Sequence, residues 1–222
     1  MLRRKIELCM TLLLLVGMII VSKKLSQLVT SANVQAKKVV VVIDAGHGGH
    51  DPGKVGVNDA LEKDINLQIA EKVKKYLEKN EIEVVMTRED DVMEDTKLED
   101  MKKRVALINK TKPVITVSIH QNSYSDPNVK GAQVFYFTGS EVSKEAASLM
   151  QEELRKIDSE NIRQIKGNNE FYMLKKTEVP TIIVECGFLS NPGEAEKLVS
   201  EEYQEQMAQA ICSGIMTWLS QP

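Results

Sequence analysis

The sequence predicts a single α/β domain with a mostly parallel β-sheet, preceded by an apolar N-terminal leader. Short runs of β-branched residues alternate along the chain with segments in which apolar residues recur at helical spacing. The first of these runs is apolar throughout, as expected for a strand buried on both faces of a parallel sheet. The chain has 222 residues, which suits one ordinary domain plus a short appendage.

The leader combines a basic flank with an apolar run over residues 8–21. This pattern is typical of a secretory signal or a signal anchor, with the following chain exported across the cytoplasmic membrane. We assign residues 1–22 to the leader and residues 23–37 to a polar tether. An uncleaved anchor is favoured over cleavage near residues 34–36, because that segment lies well beyond the apolar run.

The remaining residues, 38–222, are assigned to the domain, and its first half alternates strands with helices. In chain order we expect a strand at residues 39–43, a helix at 62–79, a strand at 83–87 and a helix at 98–108. A Gly-rich loop follows the first strand. Asn58 or Asp59 is the expected cap of the first helix.

The second half of the domain continues the alternation. In chain order we expect strands at residues 114–119 and 134–137, a helix at 142–154, strands at 171–174 and 181–184, and a helix at 203–219. Strands that alternate with helices of this length favour an α/β fold with parallel strand pairing.

Composition excludes several classes of protein. The chain is 42% hydrophobic and 27% charged, which rules out a disordered chain and a polytopic membrane protein. Its net charge of −3 gives no support to nucleic-acid binding. The cysteines Cys9, Cys186 and Cys212 show no paired spacing, so we expect them to be buried and unpaired.

Polar residues follow three of the predicted strands. Asp44 and His47 come after the first, His120 after the third and Glu185 after the last. Because ligand sites in open α/β sheets lie beyond the carboxyl ends of the strands, we expect these side chains to meet. Glu185 is notable, because an unpaired carboxylate is costly to bury.

Two imidazoles and one carboxylate are a common ligand set for a catalytic zinc ion, with an open fourth position. His47 and His120 supply the imidazoles, and Glu62, in the first turn of the first helix, is the candidate carboxylate. Asp64 is a weaker candidate, because a step of two residues turns its side chain to another face of the helix. The alternative for Glu62 is stabilisation of the helix N-terminus.

Four further polar residues have open interpretations. Asp44 is expected to support an imidazole ligand rather than to bind the metal itself. Asn122 either contacts substrate and orients a ligand or caps a loop. Arg88 is either a contact for a substrate carboxylate or a structural ion pair, with structure favoured. His50 is expected to be solvated.

Several ordered motifs resemble one enzyme family over residues 38–219. They are IDAGHGGHDPG (43–53), LEKDINL (61–67), MTRED (86–90), LEDMKKRVALIN (98–109), VSIHQN (117–122), FYMLKKTEVPTIIVE (171–185) and CGFLSN (186–191). Together they resemble the zinc-dependent N-acetylmuramoyl-L-alanine amidases. A short chain with an apolar leader and no recognisable wall-binding domain resembles the sporulation and germination subgroup of that family.

The resemblance implies a single domain with a six-stranded sheet flanked by helices. It implies one Zn²⁺ per chain held by His47, Glu62 and His120, with Glu185 as the catalytic carboxylate. The implied reaction cleaves the amide between N-acetylmuramic acid and L-alanine of peptidoglycan, in the spore cortex on the way to muramic-δ-lactam. The implied location is the intermembrane or cortex region of the forespore.

Two alternatives stay open on the sequence alone. A zinc carboxypeptidase acting on peptidoglycan peptides would use the same metal chemistry. A membrane-tethered wall-binding protein without turnover would not need the four polar residues. A membrane-associated accessory protein is also a hypothesis, with the polar face of residues 141–164 as a candidate contact, although such faces are usually just solvated.

Overall fold

The computed structural model describes residues 14–24, 39–92 and 94–221, together with Arg4, Ile6 and Met10. The chain divides into two units, Met1–Lys38 and Val39–Pro222. In the first unit, residues 14–24 are helical and exposed, whereas the candidate cleavage segment and most of the predicted tether lie outside the described residues. No helix in the described part of the chain is long and apolar enough to cross a membrane.

The second unit alternates strands and helices, as the sequence predicts. The strands are β1 Val40–Ala45, β2 Glu83–Met86, β3 Ile115–Asn122, β4 Gln133–Phe137, β5 Lys166–Asn168 and β6 Thr181–Phe188. The helices are α1 Glu62–Lys79, α2 Lys97–Thr111, α3 Glu141–Ile157, α4 Tyr172–Lys176, α5 Pro192–Leu198 and α6 Glu201–Leu219.

The strands form one six-stranded sheet in the order β2-β1-β3-β6-β4-β5. Each neighbouring pair is parallel except β4 and β6, which are antiparallel. The α/β class and the mostly parallel sheet are therefore confirmed. The carboxyl ends of β1, β3 and β6 lie side by side in the middle of this sheet, which is where the predicted polar residues begin.

Helices cover both faces of the sheet. On one face, α1, α3 and α6 bury Ile69, Met150 and Ile211 against the strands. On the other face, Ile108 of α2 and Met173 of α4 pack in a smaller cluster. Full burial of an apolar side chain of this size contributes about 1.5–3 kcal/mol. The central strands are thus held from both sides, which keeps their carboxyl ends in fixed register.

The strand predicted at residues 171–174 is wrong. Tyr172–Lys176 is a short helix, in which Met173 and Leu174 enter two different apolar clusters. A run of four apolar residues does not distinguish a strand from a buried helical turn. The sixth strand of the sheet is instead β5, and its Lys-Gly-Asn sequence has no apolar pattern that could have predicted it.

The predicted cap of the first helix is also wrong. Leu61 is the N-cap of α1, and it makes no side-chain capping bond. Asn58 donates instead to the carbonyl oxygen of Ala195, and Asp59 has a left-handed backbone with φ of 62°. The helix still begins at Glu62, as predicted, but without a side-chain cap.

Helix α5 has a clear local signal that the sequence analysis did not use. Asn191 caps the helix by accepting a hydrogen bond from the backbone N–H of Glu194, and Pro192 occupies its first turn. Cys186 and Cys212 are buried, as expected, and form no disulfide within the described residues, which do not include Cys9.

Candidate active site

Four side chains singled out by the sequence converge at the carboxyl end of the sheet. His47 lies in the loop after β1, and Glu62 is the first residue of α1. His120 lies in β3 and pairs in register with Glu185 in β6. All four line one cavity of about 420 Å³. The strand ends thus gather these side chains as parallel-sheet geometry predicts.

His47, Glu62 and His120 form a group that can hold a metal ion, because one donor atom from each lies within 4.8 Å of the others. Oε1 of Glu62 is 3.3 Å from Nε2 of His47 and 2.9 Å from Nδ1 of His120. The two imidazole rings meet edge to face with their centroids 5.0 Å apart. The predicted ligand candidates are therefore together, whereas Asp64 is exposed and lies outside the group.

The Glu62 carboxylate is buried and held on both oxygens. Oε2 accepts the backbone N–H of Lys54 at 2.7 Å, and Oε1 accepts the N–H of Gln121 at 3.1 Å. Burial opposes ionisation, but the two histidines more than offset it and hold the pKa of Glu62 well below its usual range. A residue that served only the helix N-terminus would not need these contacts with β3 and the loop.

His120 is strongly coupled to this carboxylate. Burial lowers the pKa of its imidazole, but the hydrogen bond to Glu62 and the negative charge of Glu62 outweigh burial and raise that pKa to about 9. A positive charge is therefore favoured beside Glu62, either on the imidazole or on a bound cation.

His47 has an unusual backbone for a residue with a side chain. Its φ is 63°, in the left-handed region, and the glycines that follow it have φ of 144° and 53°. Nδ1 of His47 lies 2.8 Å from Oδ2 of Asp51. A hydrogen bond from Nδ1 to Asp51 leaves Nε2 to face Glu62, so Asp51 sets the orientation of this imidazole.

Asp44 does not make the contact expected of it. Its carboxylate accepts hydrogen bonds from Ser118 and Thr87 and pairs with Arg104 at 3.1 Å. Burial would raise the pKa of Asp44, but Arg104 and the two hydroxyls hold it below the usual value. Among the described residues Asp44 has no hydrogen bond to an imidazole; Asp51 makes one with His47, because the loop after β1 turns back towards that ring.

Glu185 differs from the three donors. It is 9% exposed, and its Oε2 is buried with no hydrogen-bond partner among the described residues. Burial raises the pKa of Glu185 to about 7, with the charge of Glu62 adding to the shift and the histidines opposing it. A carboxyl group with this pKa exchanges a proton readily near neutral pH.

Both apolar and polar side chains line the rest of the cavity wall. Phe171, Tyr172 and Met173 line one part, and Lys97 lines another. Asn122 also borders the cavity, and its Oδ1 accepts the backbone N–H of Ser123 at 2.8 Å. The loop-capping interpretation of Asn122 is therefore met, and a contact between Asn122 and substrate stays a prediction.

Arg88 is buried against the backbone, whereas His50 lies at the surface. Arg88 is buried, and its guanidinium donates to the backbone carbonyls of Ala45, Gly46, Lys63 and Asp90. Arg88 is thus bound within the protein, as favoured, but the expected ion pair is wrong for the described residues, because its partners are carbonyl groups. His50 is exposed, as expected.

Two residues of the site were missed by the sequence analysis. Asp51 lies inside the quoted opening motif, four residues after His47, and that spacing was its only signal. Arg104 lies on the apolar side of α2 beside Val105 and Ile108, and a cation at such a position was a sign of a buried partner. Both missed residues contact the His47 loop.

Comparison with known proteins agrees with this geometry. The sequence pattern of the N-acetylmuramoyl-L-alanine amidase family matches residues 41–217. The germination-specific N-acetylmuramoyl-L-alanine amidase of Bacillus subtilis is 36% identical over 191 residues, which cover 82% of this chain and 80% of the relative.

Two solved structures share the fold. The CwlD amidase of Clostridioides difficile, in complex with the GerS lipoprotein, superposes with a TM-score of 0.80 at 37% identity and covers 82% of this chain and 99% of that one. The catalytic domain of CwlV from Bacillus (Paenibacillus) polymyxa var. colistinus superposes with a TM-score of 0.74 at 35% identity. That match covers 81% of this chain and 97% of CwlV.

Proposed function

The chain belongs to the N-acetylmuramoyl-L-alanine amidase family, and we propose that it works with one zinc ion bound by His47, Glu62 and His120 and with Glu185 as the proton carrier. The family's reaction hydrolyses the amide between the lactyl group of N-acetylmuramic acid and L-alanine of the peptidoglycan stem peptide. The observation that carries the proposal concerns Oε2 of Glu185, which lines the cavity that holds the three donors and has no hydrogen-bond partner among the described residues.

The donor set fits zinc. Two imidazole nitrogens and one carboxylate oxygen are ligands that catalytic zinc sites use, and three protein ligands leave one position open. When bound there, zinc would act as a Lewis acid that polarises the scissile carbonyl and makes water more acidic. The chain itself orients the donors, through Asp51 on His47 and through the backbone of Lys54 and Gln121 on Glu62.

Glu185 is suited to proton transfer. Its side chain lines the same cavity as the three donors, and Oε2 has no protein donor among the described residues. Oε2 takes a proton from the attacking water and then delivers it to the departing amine of L-alanine, which is otherwise a poor leaving group. Glu185 therefore serves as base first and acid second.

We place this reaction in the spore cortex, where it would prepare the glycan for formation of muramic-δ-lactam. The support is the 36% identity with a germination-specific amidase and the superposition on CwlD. This location requires export, which agrees with the basic and apolar pattern predicted as a leader at residues 1–22.

A membrane-associated accessory protein is the partner we propose. CwlD was solved with the GerS lipoprotein, which supports a partner of that kind for this chain. Exposed charged residues of α3, including Glu141 and Lys144, are the candidate contact. If the purified chain binds zinc tightly and cleaves sacculi at full rate alone, it needs no such partner.

Digestion of purified sacculi tests the reaction. Mass spectrometry should detect free stem peptides that begin with L-alanine, together with lactyl groups that have lost their peptide. Released D-alanine would instead identify a carboxypeptidase, and sacculi that bind the protein without any new terminus would identify a wall-binding protein. Glu185→Gln serves as the control that binds but does not cleave.

A second experiment tests the cortex assignment. Muropeptides from spores with and without this protein are compared by mass spectrometry. Loss of muramic-δ-lactam in its absence supports the assignment. Normal cortex together with altered vegetative wall would move the enzyme to another peptidoglycan layer.

A further inference from the structure

We infer that Arg88 and Arg104 are positioning residues, which hold the backbone of the His47 loop and tie it to the helix that carries Glu62. The inference rests on the proposed function for the identity of the metal ligands. Both arginines are nearly buried, at 6% and 5% exposure. Buried guanidinium groups need partners for their donors, and these partners reveal what the two side chains do.

Arg104 reaches the loop from α2. Its Nε donates to Asp100, its Nη1 contacts Asp44 and the carbonyl oxygen of Ala45, and its Nη2 donates to the carbonyl oxygen of His47. The two carboxylates neutralise the guanidinium charge. The remaining donors are thereby directed at the backbone on both sides of Gly46, including the carbonyl of a proposed zinc ligand.

Arg88 reaches the same loop from the end of β2. Its Nε donates to the carbonyl oxygen of Ala45 at 2.9 Å. Its Nη2 donates to Gly46 at 3.1 Å and to Lys63 at 2.7 Å. Because Lys63 follows Glu62 directly, one nitrogen atom connects the loop that carries His47 with the first turn of the helix that carries Glu62.

Together the two guanidiniums bind three consecutive carbonyl groups, those of residues 45, 46 and 47. This is the segment in which the backbone turns into the left-handed region at His47. A side-chain-bearing residue adopts that conformation only when surrounding contacts hold it there. The arginines supply such contacts, and the conformation in turn aims the imidazole at Glu62.

The lysine variant Arg88→Lys tests the inference. Lysine keeps the charge but has a single ammonium group, so it cannot span the same set of carbonyls. Three measurements on the purified protein are compared with the parent: the dissociation constant for Zn²⁺ by competition with a chelator, the visible spectrum of the Co²⁺-loaded protein, and the melting temperature without metal. We expect zinc binding to weaken by about 10- to 100-fold and the cobalt spectrum to change.

Gln151→Met is the matched control. Gln151 is also buried, and its side chain bonds the backbone of Val134 and Ala132, away from the His47 loop. This variant should melt earlier than the parent while keeping the parent's zinc affinity and cobalt spectrum. The comparison separates a general loss of stability from a loss of ligand geometry.

Each outcome decides the question. If Arg88→Lys melts earlier but binds zinc as the parent does, Arg88 is structural only and the inference is overturned. If Arg88→Lys does not fold, Arg104→Lys decides by the same measurements, and failure of both to fold assigns the arginines to the fold alone. A parent protein that binds no zinc would overturn the proposed function first, and the inference with it.

Discussion

His120 and Glu185 are direct neighbours on two adjacent parallel strands, paired in register between β3 and β6. The backbone hydrogen bonds of two central strands therefore set the separation between a proposed zinc ligand and the proposed proton carrier. A slip of one residue in this register would turn one of the two side chains to the opposite face of the sheet. The chemistry at this position thus depends on the register of two central strands, which shifts only after His120.

His120→Ala is expected to lose both zinc and activity. The parent should bind about one zinc ion per chain, because three protein ligands complete one site. Removal of the imidazole leaves two ligands, so zinc content measured by elemental analysis should fall close to zero. His50→Ala is the control, since His50 is exposed and outside the donor group. Full zinc occupancy in His120→Ala would remove His120 from the ligands.

Glu185→Gln is expected to separate catalysis from metal binding. The amide keeps the size of the side chain but cannot accept the proton, and loss of a general base lowers the rate by about 10²- to 10⁴-fold. Zinc content should stay at the parent level, because the three proposed ligands are unchanged. Rate and zinc stoichiometry are measured on the same sample. Loss of zinc would make Glu185 a ligand, and retained activity would overturn its role.

The stability of the metal-free protein should depend on pH through Glu185. Its folded pKa of about 7 lies above the usual value near 4.5, so the folded state favours the protonated form. The stability that the protonated Glu185 carboxyl contributes is fully present below about pH 4.5 and is lost as the pH rises from about 4.5 to 7. Relative to Glu185→Gln, the parent should lose up to about 3 kcal/mol over this window. Urea unfolding of both proteins measures the difference, and a constant difference would show an unshifted pKa.

Gly46→Ala is expected to displace His120. A Cβ atom at position 46 would lie 2.3 Å from Cε1 and Nε2 of that imidazole, far inside contact distance. The imidazole must move, so zinc affinity should fall and stability should drop by about 1–3 kcal/mol. Gly193→Ala is the control, because its Cβ would meet only Asn191 at an ordinary 3.4 Å. Parent-like zinc binding in Gly46→Ala would show that the imidazole is not held in this position.

Deletion of residues 1–37 should leave a domain that folds. The first strand begins at Val40, and its partners β2 and β3 lie within the domain. A chain that starts at Lys38 should show a single cooperative melt close to that of the full-length protein. Aggregation or a broad melt would show that residues before Lys38 contribute to the fold.

The sequence predicted most helices and strands that have local signals, although α5 was missed despite its Asn191 cap. Continuous β-branched runs identified β1 and β6, and apolar spacing identified α1 with the same bounds that the structure shows. Short or weak sequence signals led to the errors. The apolar run at residues 171–174 fits a strand and a buried helical turn equally well, and β5 has no apolar residue.

In the candidate site, too, local signals identified some residues correctly and misplaced another. His47, Glu62, His120 and Glu185 could be chosen because each is a polar residue beside a predicted strand or at the start of a helix. Asp44 was chosen by the same rule, yet its carboxylate turns to Arg104 and two hydroxyls. Asp44 pairs with Ser118 in the sheet, two residues before His120, so its carboxylate lies beside the Ser118 hydroxyl and Arg104 rather than at the imidazole.

By itself, the sequence determined the family, most of the strands and helices, and the residue types that meet at the carboxyl end of the sheet. These follow from ordered motifs and from local periodicity. Only the tertiary structure decided that Asp51 orients His47, that Arg88 and Arg104 bind three consecutive carbonyls, and that Oε2 of Glu185 has no described partner. Such contacts join segments that are remote in the chain, and packing alone sets which donors and acceptors come within reach.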